Sequence, residues 1–323
     1  MPLTTEQKNC EECIGCVRVS APIVITKPGC YYVTKNITTA AGPVITIRAN
    51  DVSLDVKGHT LDQSAHSAPV ILIEPGSTGI AVFNGTLTGG KPAVSLQSTG
   101  PKSRLHFRNL TVKDYRSAGF ELKGLDQLDL VECKIISVSD HGVMAFASAT
   151  LGEGVFSGQF LGNTFRCSNS NILSLDGARG AIIRGNHLTG EADQFGIHVT
   201  GGANLIEGNT IASVHGTGID VQGNGNLIAD NTVNHAGISG IRVRSDDNRI
   251  AGNVVQDCRE SGIKISGQRN LIEGNQASQQ QAGFGLEFTA GPTNAYRNNM
   301  LRGNPGGAVG DAFANTDAGG NIV

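Results

Sequence analysis

Five ionisable residues, His198, Asp220, Arg242, Lys264 and Glu287, follow one another at intervals of 22, 22, 22 and 23 residues. Histidine changes charge near neutral pH and so can take or give a proton, and a carboxylate beside it can orient the ring and hold its charge. Arginine and lysine can bind a carboxylate and stabilise the negative charge that develops when the neighbouring carbon loses a proton. Groups so far apart along the chain share that chemistry only if the fold stacks them.

The surrounding phrase argues that it does. Gly196-Ile-His-Val, Gly218-Ile-Asp-Val, Gly240-Ile-Arg-Val and Gly262-Ile-Lys-Ile are each followed by an Asn-x-Ile run, at Asn204, Asn226, Asn248 and Asn270. A second asparagine follows five residues later, at Asn209, Asn231, Asn253 and Asn275. Three short β-rich runs per 22 to 24 residues, punctuated by Gly and Asn, suit one coil of a stacked parallel β solenoid. With period-two alternation Ile197 and Val199 point inward and His198 outward, which puts the five ionisable residues in one outward column. Extended upstream, the column reads Thr46, Leu72, Ser95, Glu121, Met144 and Ser174. Adjacent strands lie about 4.8 Å apart, so His198 reaches Asp220 and Asp220 reaches Arg242.

His198, Asp220 and Arg242 are therefore the candidate catalytic residues, with Lys264, Arg244, Glu287, Asp193, His215 and His141 as candidate substrate-binding residues. Asp193, His215 and His141, with Asp140 and His235, fall at corners just before the column strands. The plain alternative is a solvated ladder of alternating charge that serves solubility and register, each pair contributing about 0 to 1 kcal/mol. An asparagine column, Asn109, Asn163, Asn186, Asn209, Asn231, Asn253, Asn275 and Asn299 with Cys133 in one place, reads as a structural amide ladder.

The chain has 323 residues, 44 of them Gly, with 39% hydrophobic and 5% aromatic residues and no Trp, which is ordinary for a single solenoid. A net charge of -3 gives no basis for nucleic-acid or anionic-membrane binding. No apolar run approaches the roughly 20 residues of a membrane span. The opening Met-Pro-Leu-Thr-Thr-Glu-Gln-Lys lacks the layout of a secretion signal, which reads as cytoplasmic for a complete sequence and as secreted or periplasmic if a signal has been removed. Cys10, Cys13 and Cys16, with Cys30 as a fourth thiol, have spacing that can hold a metal ion, although no second Cys-x-x-Cys pair follows. No other cofactor is expected. Cys133, Cys167 and Cys258 fit single buried or turn positions.

The domain reading is a Cys-rich N-terminal tail over residues 1–20 and one solenoid domain over residues 21–323, capped at about residues 21–42. The coil after Gly142 is about 30 residues long. Its extra residues, near Ala147 to Gly158, are expected to bulge beside the column. The last coil, from Gly306, is degenerate, which leaves an open end where a homo-oligomer could form.

Pro28-Gly29-Cys-Tyr31 before Val44-Ile-Thr-Ile, followed by Val52-Ser-Leu-Asp-Val-Lys-Gly-His-Thr-Leu and then by the Asn-x-Ile and Gly-Asn-Thr-Ile repeats, resembles the right-handed parallel β-helix repeat proteins of the pectin lyase-like superfamily. The resemblance covers nearly the whole chain from about residue 20. It implies an all-β, single-stranded right-handed parallel β-helix of about 11–12 coils. The superfamily includes pectin-degrading lyases and hydrolases, mannuronan epimerases, phage tailspikes and copper-maturation proteins, so fold alone does not fix activity. The epimerase signature Tyr-Gly-Phe-Asp-Pro-His is absent, the nearest text being Gln194-Phe-Gly-Ile-His198.

The functional reading is a carbohydrate-active enzyme acting on an acidic glycan by lyase, epimerase or hydrolase chemistry. A second reading is an intracellular isomerase or cyclase of small metabolites, with Leu72, Met144, Phe156 and Phe160 walling an apolar pocket. A third is a binding or assembly module without catalysis.

Overall fold

Isoleucine and valine at every second residue of a short strand make one face apolar, and stacking identical strands turns those faces into continuous columns. The computed structural model describes residues 15–98, 102–137, 141–147, 156–168, 171–191, 193–311, 313 and 315–323. Strands of successive coils pair in parallel throughout, in about 12 turns, and no helix occurs among the described residues. Three sheets result. The first runs from Ile23–Ile25 through Phe195–Thr200, Thr217–Gln222, Ile241–Val243 and Ile263–Ile265 to Gly307–Asp311. The second includes Leu205–Glu207 and Leu227–Ala229, the third Thr210–Val214 and Thr232–Ala236.

Ile197, Val199, Ile219, Val221, Ile241, Val243, Ile263 and Ile265 are all fully buried. Each such side chain contributes about 1.5–3 kcal/mol by leaving water, so stacking rather than any single coil stabilises the structure. The outward column stands in the register read from alternation: Met144 beside Ser174, Ser174 beside His198, His198 beside Asp220, then Arg242, Lys264 and Glu287.

The corners are held by side-chain amides. Asn163, Asn186, Asn209, Asn231, Asn253 and Asn275 each give Nδ2 to the next Oδ1 at 2.9–3.0 Å, and Asn299 gives its own to Asn321 at 3.1 Å. Cys133 enters this ladder through its backbone N–H, which donates to Asn163 Oδ1 at 2.8 Å. Asn109 does not belong to it. Thr111 pairs with Lys134, so Leu110 is level with Cys133, and Asn109 falls one place earlier in the left-handed conformation, φ 51°. A second ladder, Asn204, Asn226, Asn248, Asn270, Asn294 and Asn315, runs along another corner through backbone N–H to Oδ1 bonds of 2.8–2.9 Å.

At the N-terminal end the solenoid begins before the expected boundary. Val17–Val19, placed in the tail from sequence, pairs in parallel with Gly29–Val33, and Ile23–Ile25 pairs with Ile45–Ile47. The segment read as a cap is thus itself a coil. Cys16 is disulfide-bonded to Cys30, which leaves neither a thiolate for the metal site weighed from sequence. Cys10 and Cys13 lie outside the described residues, as do Asp140 and residues 148–155 of the expected bulge. Phe156 and Phe160 are buried in the core rather than walling a pocket, because the inward place of the second sheet falls on them.

Cys133, Cys167 and Cys258 are free and buried. Burial pushes the thiols of Cys133 and Cys258 up to about 12, so almost no thiolate exists near neutral pH. Iodoacetamide at pH 8 is expected to leave both unmodified in the folded chain and to alkylate them in urea, as read by peptide mass spectrometry.

Candidate active site

Asp220 sits in the middle of the first sheet with no exposed surface, an environment that would push an unpaired carboxyl toward its neutral form. Four neighbours reverse this. His198 Nδ1 lies 3.0 Å from Oδ2 and Gln222 Nε2 donates to the same oxygen at 3.1 Å, while Arg242 Nε and Arg244 Nε donate to Oδ1 at 2.6 and 3.1 Å. Burial raises the Asp220 pKa, but the hydrogen bonds from His198, Gln222 and Arg242 outweigh it and bring the group down to about 2.

An ionised Asp220 only accepts hydrogen bonds, which assigns the proton on His198 to Nδ1 and leaves Nε2 as a free lone pair in the neutral ring. The ring is stacked on Phe195, 4.7 Å between centroids and 18° between planes, and the Arg242 guanidinium lies 5.6 Å from the same phenyl ring. His198 is 13% exposed, Arg242 23% and Arg244 37%, so each reaches solvent while its hydrogen-bonding partner does not. A base oriented by a buried carboxylate, next to two cations, can remove a proton and hold the charge left behind.

Ladders elsewhere on the molecule differ from this cluster. On the second sheet Arg184 meets Glu207 at 2.5 Å and Glu273 lies between Arg249 and Arg297 at 2.5 and 2.6 Å, with the arginines about half exposed. Those are solvated charge pairs worth about 0 to 1 kcal/mol each. Neither of these has a fully buried carboxylate or a histidine; His106 Nδ1 does meet Asp129 at 2.7 Å on the same sheet, but there the carboxylate is 12% exposed.

The right handed beta helix region model matches residues 195–323. A mutant of the periplasmic alginate epimerase AlgG superposes with a TM-score of 0.60 at 15% identity, over 93% of this chain and 77% of that one. Unmutated AlgG gives 0.50 at 13% identity, over 91% and 76%. A PL6 family polysaccharide lyase from Pseudopedobacter saltans gives 0.49 at 13% identity, over 95% and 89%. No curated protein sequence matches the chain. The chain shares the right-handed parallel β-helix fold with these structures.

The β-helix brings His198, Asp220, Arg242 and Arg244 into one hydrogen-bonded cluster. Lys264 and Glu287 form a neighbouring one: Lys264 Nζ lies 3.3 Å from Glu287 and 4.0 Å from Glu260, and Ser261 Oγ donates to Glu287 at 2.7 Å. Asp193 and His215 are not part of either. They pair with each other at 3.4 Å on an exposed corner, where the chain bends at residues 193 and 194 before the strand Phe195–Thr200. His141 stands at the start of its first-sheet strand, level with Ala118, and its side chain is outside the described residues.

Two members of the cluster were missed from sequence. Gln222 follows Asp220 by two residues, so alternation alone would have put it on the same face. Phe195 carries no such signal, since it is an odd number of residues from His198 and reaches the outer face because Gly196 and Ile197, both buried, break the alternation within the strand. A Cβ at Gly196 would lie 2.6 Å from the Gly218 carbonyl oxygen, so the close approach of the two strands there needs glycine. Among the described residues no group of three or more His, Cys, Asp or Glu could hold a metal ion.

Proposed function

We propose that this β-helix is a carbohydrate-active enzyme that binds an acidic glycan across its first sheet and removes the proton beside the sugar carboxylate, as a lyase or an epimerase. The observation that carries this reading is the buried, ionised Asp220 holding the His198 ring through Nδ1, with two guanidinium groups on the same carboxylate. Arg242 and Arg244 would bind the uronate carboxylate and stabilise the enolate-like charge, and His198 Nε2 would take the proton. The fold shared with the alginate epimerase supports the same substrate class.

Hydrolysis fits the cluster less well. It needs a carboxylic acid kept protonated near neutral pH, and Asp220 is held in the opposite state and saturated with donors. The Cys16–Cys30 disulfide supports work in an oxidising compartment, secreted or periplasmic.

The test is to incubate the protein in deuterium oxide with polymannuronate and with polygalacturonate and follow the polymer by NMR. Deuterium entering beside the carboxylate is expected of an epimerase, which returns a solvent proton to that carbon, and an unsaturated chain end without it is expected of a lyase, in which the glycosidic oxygen leaves as the double bond forms; either is the expected result. Unchanged polymers in both cases would overturn the reading.

A further inference from the structure

Two adjoining depressions lie where the third sheet turns into the first, on the same coils as Asp220 and Arg242 but around the corner from them. The larger, about 460 Å³, is lined by Asn234, His235, Gln256, Asp257 and Gln279. The smaller, about 250 Å³, shares His235 and Asp257 and includes Val214, Ala236 and Gly237. The repeat itself makes the surface polar. Asn234 and Gln256 hold the same outward place on paired strands, and His235, Asp257 and Gln279, next along the chain, are left-handed with φ of 57°, 52° and 58°. A left-handed residue interrupts the alternation, so each coil offers two consecutive polar side chains to solvent. Gly237 deepens the groove, since a Cβ there would lie 2.1 Å from the His215 carbonyl oxygen and only glycine fits.

Three of the five residues lining the larger depression are amides, which suit hydroxyl groups. Asn234, Gln256 and Gln279 each carry an amide acceptor and two donors, the combination that pairs with neighbouring hydroxyls of a sugar ring. Asn234 Oδ1 is buried and has no partner, an acceptor that a donor would relieve. Asp257 is engaged by His235 Nε2 at 2.8 Å and by Gln281 Nε2 at 3.0 Å, so its charge is already answered. Val214 and Ala236 are nearly fully buried and give an apolar floor for the C–H face of a ring. Glu191 and Arg259 line the smaller depression with opposite charges. The cluster around Asp220, by contrast, presents two arginines toward solvent.

We propose that this corner groove is a second saccharide-binding site, selective for neutral sugar units and separate from the His198, Asp220 and Arg242 cluster. It goes beyond the proposed reaction, and its test does not depend on catalysis. The ¹⁵N-labelled full chain is titrated with mannotetraose and cellotetraose as neutral probes and with tetragalacturonate as the acidic one. The expected result is that at least one neutral probe shifts the side-chain amide signals of Asn234, Gln256 and Gln279 with a Kd of about 1 mM.

That binding should persist in His198→Ala and weaken at least tenfold in the double variant Gln256→Ala, Gln279→Ala, whose side chains face outward and leave the core intact. The proposal is overturned if neither neutral probe moves those signals at ten times that concentration, if the shifts map to the His198 column instead, or if the double variant binds as tightly as the parent. Tighter binding of tetragalacturonate than of both neutral probes in the groove would also overturn it.

Discussion

Replacing Asp220 by alanine is expected to cost about 3–5 kcal/mol of folding stability, the range for removing one partner of a buried ion pair. Arg242 and Arg244 would then face each other without the carboxylate that now accepts both at 2.6 and 3.1 Å, and His198 would lose the acceptor that fixes its ring. Urea denaturation of the variant beside the parent measures this. Asp220→Asn separates chemistry from stability. An asparagine of the same shape can still accept from an arginine through Oδ1, but its Nδ2 would donate to His198 Nδ1 and move the ring proton to Nε2. On the proposed reaction that variant should fold with most of its stability and lose about 10²–10⁴-fold in proton exchange, the usual worth of a positioned base. Full exchange activity in a folded Asp220→Asn chain would remove His198 from the mechanism.

The same carboxylate sets a pH dependence. Its pKa is about 2 in the folded chain against 3.8 for an unperturbed aspartate, so the folded state binds the proton more weakly than the unfolded one. The group therefore contributes its stabilisation above pH 4, about 2 kcal/mol at neutral pH, and loses it as pH falls from about 4 through 2. Asp220→Asn should flatten that part of the acid unfolding curve.

Asn231→Leu is expected to cost about 3–5 kcal/mol for a different reason. Asn231 Oδ1 accepts from both the backbone N–H and the Nδ2 of Asn209, and its own Nδ2 donates to the Ile206 carbonyl at 2.8 Å and to Asn253 Oδ1 at 3.0 Å. Leucine fills the space but takes these partners from the Asn209 backbone N–H and the Ile206 carbonyl, and leaves Asn209 Nδ2 with only its bond to the Ile183 carbonyl at 2.9 Å, at about 1–3 kcal/mol for each group orphaned and less than their sum together. In a solenoid each coil touches only its neighbours, so the defect should divide the molecule rather than weaken it evenly. Hydrogen exchange should show faster opening around residues 204–256 than at the N-terminal coils, and the denaturation curve should broaden. Asn224→Ala is the control, since Asn224 makes one exposed hydrogen bond, to the Asp246 N–H at 3.0 Å. It should cost under about 1 kcal/mol.

Gly-Ile-X-Val at a fixed interval determined, by itself, the parallel solenoid, its inward columns of Ile and Val, and the register that puts His198 beside Asp220 and Asp220 beside Arg242. Strand alternation has a period of two and the coil a period of 22, and both are written in residue types that need no partner to be recognised. The amide ladder of Asn163 to Asn299 was legible for the same reason. Asn109 was misplaced because one left-handed residue shifts a corner by a single position without changing its composition.

The tertiary structure decided how the column divides. Arg244 and Gln222 turn onto Asp220, while Lys264 is taken by Glu287 and Glu260 one coil further on. Asp193 and His215 pair on a corner away from both. Side chains of four to seven atoms reach across rungs, and which carboxylate each one meets depends on burial and on breaks in alternation such as that at Gly196, neither of which a one-dimensional period contains. Tertiary structure alone also removed Asp220 from water entirely, because that exclusion comes from the neighbours packed around it and not from the residue itself.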